Sequence, residues 1–153
     1  MPPYEVITGP SPWPARYTFS PAVRAGNLLF ISGMTAGDES GKIVGPGDIV
    51  AQTRQAHENI KRCLAAAGAT FADVCKVTVF LKNVAHREAV NTVRKEYFGK
   101  SRPASTLIEI SQFVRPELLI EIEATAVLPE KKAGAPRRKA RTSAPARKAR
   151  RRR

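Results

Sequence analysis

Two glutamates near the end of the apolar part of the chain are the residues whose spacing first suggests chemistry. Glu121 and Glu123 are separated by one residue within 118–128, where apolar side chains occupy alternate positions. A β-strand with this period of two places both carboxylates on one face, with Cα atoms roughly 6.6–6.8 Å apart. Two such groups can position water or transfer a proton. The spacing alone favours a simpler interpretation, which is two solvated charges on an uncovered strand face.

The other residue types that could do chemistry give weaker patterns. His57 and His86 lie in helical patterns beside charged residues, without metal-ligand spacing, and we interpret both as exposed helix positions. Cys63 and Cys75 fall on apolar faces, which is typical of small core side chains rather than of nucleophiles. The glycines of residues 37–47 match neither a P-loop nor a dinucleotide fingerprint. We therefore expect no metal and no other cofactor.

Length and charge indicate one folded domain followed by a basic extension. The chain has 153 residues and a formal net charge of +13, but residues 130–153 hold 12 Lys and Arg against one Glu. Residues 1–129 carry only +2, from 14 basic and 12 acidic residues, and suffice for one core. Residues 130–153 contain no aromatic residue and no Val, Ile or Leu, so we predict a disordered tail. No segment reaches the ~20 apolar residues of a membrane span and no secretory signal is visible, so we expect a cytoplasmic protein.

The predicted elements follow the order strands, helix, strand, helix, strands. Six strands are predicted, at residues 4–7, 17–24, 27–33, 73–82, 104–110 and 118–128. A turn at Gly26 joins the second strand to the third. Asp48 is the predicted N-cap of a helix that ends at Gly68, and a second helix covers residues 85–98. Packing both helices on one face of a mixed six-stranded sheet buries their apolar stripes, which is an α+β architecture.

Six short motifs occur in a fixed order along residues 19–128. The first three are Ile31-Ser32-Gly33 after the Gly26 turn, QTRQAHENIKRCLAAAGA in the first helix, and DVCKVTVFLKN in the next strand. The last three are Val90-Asn91 with Tyr97-Phe98, Pro103-Ala104, and Ile120-Glu121-Ile122-Glu123-Ala124. Together and in this order they resemble the RidA family (reactive intermediate deaminase A), which is also called YjgF-like or L-PSP.

The resemblance implies a chorismate-mutase-like α+β fold, assembled as a homotrimer with ligand clefts between subunits. It also implies hydrolysis of reactive enamine or imine intermediates of amino acid metabolism to 2-keto acids and ammonia. The first glutamate of the family's last strand, here Glu121, orients the attacking water. The serine–glycine turn, here Ser32 and Gly33, borders the ligand, as does the asparagine that matches Asn91.

The chain departs from the family pattern where the substrate carboxylate binds. The arginine that follows Pro-Ala in the family and holds this carboxylate is Ser105 here. A neutral hydroxyl thus replaces a planar, charged guanidinium that can form two hydrogen bonds to a carboxylate. This replacement costs on the order of 1–4 kcal/mol of binding free energy. Arg102 belongs to the opposite strand face, and Arg115 helps only if its loop folds inward. Phe19 replaces a family tyrosine that lies before the first full strand.

Three hypotheses follow from these residues. The first is a divergent enzyme of the 2-iminobutanoate/2-iminopropanoate deaminase type, in which Glu121 positions water despite Ser105. The second is a non-catalytic trimer that binds a small metabolite at the subunit interface. The third concerns residues 130–153, whose basic residues are suited to non-specific, salt-dependent contact with nucleic acid. A solvated extension with no partner is the simpler interpretation of that tail.

Overall fold

The strands and helices of the computed structural model follow the predicted order. The structure describes residues 2–8 and 17–129, and the predicted tail, residues 130–153, lies outside them. None of the described helices is long and apolar enough to cross a bilayer. In chain order the elements are β1 (Glu5–Ile7), β2 (Ala22–Ala25), β3 (Leu28–Met34), α1 (Ile49–Ala66), β4 (Val74–Leu81), α2 (Arg87–Phe98), β5 (Ala104–Glu109) and β6 (Ile120–Val127).

The six strands form one mixed sheet in the order β1-β2-β3-β6-β4-β5. Neighbouring strands are antiparallel except β4 and β5, which are parallel because α2 carries the chain back between them. Alternate residues of β6 are buried on the face that the helices cover, and the residues between them lie on an uncovered face. The predicted architecture, two helices on one face of a mixed six-stranded sheet, is confirmed.

Helix α1 begins at the predicted cap and buries one face. Asp48 Oδ1 accepts hydrogen bonds from the amides of Val50 and Ala51 at 2.9 and 3.0 Å. Gly68 follows the helix end with a φ of +74°, a left-handed conformation that glycine adopts without a steric penalty. The predicted apolar row of α1 runs at steps of three and four residues, and four of its members are buried: Thr53, Ala56, Ile60 and Cys63.

A buried glutamine in α1 fixes the segment that leads into β6. Gln52 Nε2 donates to the carbonyl oxygens of Gly45 and Glu117 at 3.1 and 2.8 Å, and its Oε1 accepts from the Leu119 amide at 2.8 Å. These three bonds satisfy a side chain that water does not reach. Leu119 lies two residues before Glu121, so Gln52 anchors the strand that carries the candidate carboxylate.

The prediction that His57 is exposed is wrong. The side chain is 1% exposed, and its Nδ1 lies 2.8 Å from the Thr53 carbonyl oxygen. Its ring stacks on Tyr97 with centroids 4.8 Å apart, and Phe71 and Phe98 complete an aromatic cluster. Burial lowers the pKa of His57 to about 4, which keeps the ring neutral near pH 7. The apolar face of α1 is therefore wider than the single predicted row of residues.

Cys75 also departs from its predicted place, because β4 contains a bulge. Val74 pairs with Ala126 and Lys76 pairs with Thr125, so Cys75 is one residue too many for the antiparallel register. The extra residue shifts the alternation. Val74 joins the core in its place, and the Cys75 thiol is exposed.

Two other predictions change in detail. His86 is half-buried rather than exposed, at the start of α2. Strand β2 begins at Ala22 rather than at residue 17, because Pro21 cannot donate to a strand ladder. The carbonyl oxygen of Pro21 instead accepts a hydrogen bond from the Ser32 amide at 3.0 Å.

A second apolar cluster ties the loops together at one end of the sheet. Ala36 and Ile43 from the loop after β3 are buried with Phe113 and Leu118 from the loop before β6. Phe80 of β4 packs against this group and pairs with Glu121 of β6. The cluster therefore fixes the two loops that flank the strand end where Glu121 lies.

Candidate active site

A bulge in β3 creates the space in which the Glu121 carboxylate lies. Ile31 pairs with Ala124 and Met34 pairs with Ile122, so Ser32 and Gly33 together oppose a single residue of β6. A Cβ atom on Gly33 would overlap the Glu121 carboxylate oxygen and would lie only 2.7 Å from its Cδ. Gly33 is therefore required because it has no side chain. Its backbone conformation does not require glycine, since its φ is not in the left-handed region.

The surroundings of the Glu121 side chain disfavour its charged form. The side chain is half-buried, and within residues 2–8 and 17–129 no donor forms a hydrogen bond to its carboxylate. Burial raises the pKa of Glu121, and the charge of Glu123 raises it further. A carboxylate whose charge is disfavoured in this way is a stronger base than a solvated one.

The segment before β2 lies against the same bulge. Ser32 Oγ donates to the Ser20 carbonyl oxygen at 2.7 Å, which fixes the backbone next to Phe19. The Phe19 ring is 53% exposed and stacks on Tyr17, with centroids 5.2 Å apart. We call Phe19, Ser32, Gly33 and Glu121 the carboxylate half of the site.

The remaining predicted residues lie together elsewhere, around an arginine that the sequence did not single out. Arg94 Nη2 donates to Ser105 Oγ at 3.1 Å, and Arg94 Nη1 contacts Asn91 Oδ1 at 3.5 Å. The guanidinium carbon lies 5.8 Å from the centre of the Phe98 ring. We call Asn91, Arg94 and Ser105 the arginine half of the site. Their common position follows from the i, i+3 spacing on α2 and from the parallel β5 that follows it.

The register of the sheet separates the two halves within one chain. Ser105 pairs with Val77 and Glu121 pairs with Phe80, on opposite sides of β4. Ser105 and Glu121 are offset by three residues along the strand direction and by two strand spacings, so their Cα atoms lie roughly 14 Å apart. Their side chains point to opposite faces of the sheet. A substrate of a few atoms cannot contact both halves of the same chain.

Arg115 does not take the place of the family arginine. Its guanidinium donates to the Gly41 carbonyl oxygen at 3.0 Å and pairs with Glu117 at 3.2 Å. These contacts hold two loops together, and the Glu117 carboxylate already pairs with the charge that a substrate carboxylate would need.

Known proteins resemble this chain over nearly all of its described residues. Residues 11–128 match the family model described as Endoribonuclease L-PSP. A RutC family protein of Pyrococcus horikoshii is 50% identical over 109 residues, which cover 71% of this chain and 85% of that protein. The chain belongs to the endoribonuclease L-PSP family. Another L-PSP relative, the 3-aminoacrylate deaminase RutC of Acinetobacter baylyi, is 37% identical over 81% of this chain and 98% of its own length.

Solved structures confirm the fold. A Mycobacterium tuberculosis member of the YjgF/YER057c/UK114 family superposes with a TM-score of 0.71 and 34% identity, covering 82% of this chain and 99% of that one. The predicted membership of the RidA/YjgF-like family and the chorismate-mutase-like fold are therefore both confirmed.

Proposed function

We propose that this chain is a deaminase that hydrolyses small enamine or imine carboxylates to the corresponding oxo acid and ammonia. The observation that carries the proposal is the half-buried Glu121 carboxylate, held over Gly33 with a raised pKa. The name of the 3-aminoacrylate deaminase relative supports the same reaction class. The proposed substrates extend to 2-iminopropanoate and 2-iminobutanoate.

The chemistry requires one group that can take a proton and return it. An enamine first gains a proton from solvent at carbon and becomes a protonated imine. Water then adds to the imine carbon while Glu121 accepts one of its protons, and the π electrons of the C=N bond become a lone pair on nitrogen. Glu121 returns this proton to the nitrogen of the carbinolamine. The C–N bond then breaks and its electrons leave with ammonia, while the hydroxyl group gives up its proton to solvent and forms the C=O bond. Water and imine thus give a carbonyl compound and ammonia, and Glu121 is regenerated.

We further propose that the two halves of the site meet across a subunit interface in a homotrimer. Their separation within one chain supports this arrangement. Apolar side chains on the uncovered sheet face support it as well, since Phe30, Ile108 and Val127 are each 42–44% exposed. A second copy that covers this face would bury them.

The test is ammonia and keto-acid release from 2-iminopropanoate that an amino acid oxidase generates in situ. We expect the wild type to accelerate release and Glu121→Gln to lose at least about 100-fold, because the amide accepts no proton from water. The matched control is Glu123→Gln. Glu123 lies on the same face but lines a separate depression with Phe30, Lys76 and Thr78. We expect this control to keep most of the activity.

Absence of acceleration by the wild type would contradict the deaminase proposal. It would favour the alternative, a non-catalytic trimer that binds a small metabolite between subunits, with Ser105 in place of the family arginine. Equal loss in Glu121→Gln and Glu123→Gln would show that charge on this face matters and that the position over Gly33 does not.

A separate proposal concerns residues 130–153, which lie outside the described residues. We propose that their 12 basic residues tether the protein to nucleic acid through phosphate contacts. Truncation after Leu128 is expected to leave deamination unchanged and to abolish retention on immobilised DNA or RNA at moderate salt. Retention that survives the truncation would contradict the tether.

A further inference from the structure

Arg94 has no carboxylate partner within residues 2–8 and 17–129. Four described arginines, Arg54, Arg62, Arg87 and Arg115, each lie 2.8–3.3 Å from a glutamate oxygen. Of the other three, Arg102 is exposed and Arg24 donates to the Gly26 carbonyl oxygen, which leaves Arg94. No carboxylate of the described ranges lies within 4.0 Å of the Arg94 guanidinium, although this side chain is half-buried. Burial lowers the pKa of Arg94, which shows that the surroundings disfavour its charge.

The contacts of Arg94 orient the guanidinium and leave donors available. Ser105 Oγ and Asn91 Oδ1 are neutral acceptors, and a guanidinium has five N–H donors. The Phe98 ring lies 5.8 Å from the guanidinium carbon, within the range of a cation–π contact. The planar group is thus fixed by neutral partners, and the donors that they do not use can form two parallel bonds to a carboxylate.

Building on the proposed function, we propose that Arg94 binds the substrate carboxylate in this chain, and that Ser105 holds the guanidinium in place rather than binding the ligand itself. The ligand class is a small carboxylate that carries an imine, enamine or oxo group. Arginine from the helix would then supply the fork that an arginine at position 105 would supply from the strand. The ligand would remove the charge imbalance that the described residues leave at Arg94.

The first test measures binding and does not require catalysis. The probes are 2-oxobutanoate and its methyl ester, which differ in the charge of the carboxyl group, and the readout is the Kd from calorimetry or NMR titration. We expect the wild type to prefer the acid, and Arg94→Met to weaken acid binding at least about tenfold while ester binding is unchanged. Arg94→Lys should lie between the two, because an ammonium keeps the charge but not the planar fork.

A matched control and a transplanted arginine make the test specific. Arg87→Met removes an exposed arginine of the same helix, one that already pairs with Glu88, and it should leave both Kd values unchanged. Ser105→Arg in the Arg94→Met background should recover acid binding, since it returns the charged fork to the neighbouring strand. In kinetic assays, Arg94→Met should raise KM more than it lowers kcat.

Three results would overturn the proposal: equal affinity of the wild type for acid and ester, unchanged acid affinity in Arg94→Met, or the same loss in Arg87→Met. A wild type that binds the acid through Arg94 but releases no ammonia from 2-iminopropanoate would refute the deaminase proposal alone. Activity that depends on Glu121 but not on Arg94 would refute this inference alone.

Discussion

Glu121 and Arg94 are both half-buried ionisable side chains, but the protein holds them in different ways. Burial disfavours the charged form of each, so it raises the pKa of Glu121 and lowers that of Arg94. Arg94 is fixed by Ser105, Asn91 and the Phe98 ring. Glu121, by contrast, accepts no hydrogen bond from the described part of the chain. A group that recognises a ligand gains from being fixed, whereas a group that takes a proton from water must keep its lone pairs free.

The two halves also differ in how closely they follow the family pattern. Ser32, Gly33 and Glu121 stand where the resemblance places them, and the β3 bulge gives their positions a physical reason. In the arginine half, Ser105 stands where the family pattern has an arginine. Arg94 of α2 places a guanidinium next to the Ser105 hydroxyl. Under the proposed function, the part of the site that acts on water follows the family pattern, and the part that recognises the substrate departs from it.

The largest effect is expected from filling the space that Gly33 leaves. Gly33→Ala should lower deamination by about 100-fold, because a Cβ atom would displace the Glu121 carboxylate by about an ångström. Kinetics with 2-iminopropanoate and a circular dichroism spectrum would check this result. The control is Gly37→Ala, whose Cβ would meet no atom within 4 Å. Equal activity of the two variants would show that Gly33 does not position the carboxylate.

A smaller effect is expected from mixing two inactive variants, and it distinguishes sites shared between subunits from sites within one chain. Glu121→Gln removes the carboxylate half, and Ser105→Asp supplies an internal anion that occupies Arg94. If each site takes one half from each of two subunits, equal co-expression should restore about a quarter of wild-type activity, since half of the subunits offer each intact half. If each site lies within one chain, the mixture should stay inactive.

Wild type mixed with the double variant Glu121→Gln/Ser105→Asp provides the counter-test. About a quarter of full activity is expected for sites shared between subunits, and about a half for sites within one chain. A mixture of the single variants that remains inactive, together with half activity in this control, would refute the proposed interface.

The sheet and the helix ends could be predicted from local chemistry. Asp48 and Gly68 mark the ends of α1 because cap and stop residues act over one turn. The alternation in β6 predicted which side chains it buries, since the period of two holds wherever a strand is regular. The proximity of Gly33 to Glu121 agrees with the motifs that led us to group these residues, while their role in a site stays a prediction.

The failures come from features that a single row of residues does not encode. Cys75 lies at a bulge, and the extra residue reverses the alternation between the residues before it and those after it. His57 is buried because Tyr97 and two phenylalanines from other segments cover it. The sequence pattern did not predict a role for Arg94, because the role proposed for it depends on the approach of α2 to β5, which places its Nη2 3.1 Å from Ser105 Oγ. These three misses come from contacts between distant segments, whereas the late start of β2 follows from the local chemistry of Pro21.

The smallest expected effect is on the free energy of unfolding. It distinguishes a reactive carboxylate from one that supports the fold. Because the pKa of Glu121 is raised on folding, the folded protein holds this proton more tightly than the unfolded chain does. The Glu121 contribution to the free energy of unfolding is therefore full below the unfolded pKa and is lost as pH rises through the folded pKa. Glu121→Gln does not titrate, so it should be more stable than the wild type at pH 7, with the difference vanishing in acid.

Urea unfolding at one fixed protein concentration checks this difference, since assembly makes stability depend on concentration. His57, whose pKa is lowered to about 4, destabilises both proteins as pH falls from about 6.5 and cancels in the comparison. Glu123→Gln removes the second cause of the raised Glu121 pKa, which is the charge of Glu123. The Glu121 pKa should therefore fall, so the loss of activity in acid should begin at lower pH. If Glu121→Gln proved less stable than the wild type at pH 7, the carboxylate would be supporting the fold, and the contrast with the firmly held Arg94 would fail.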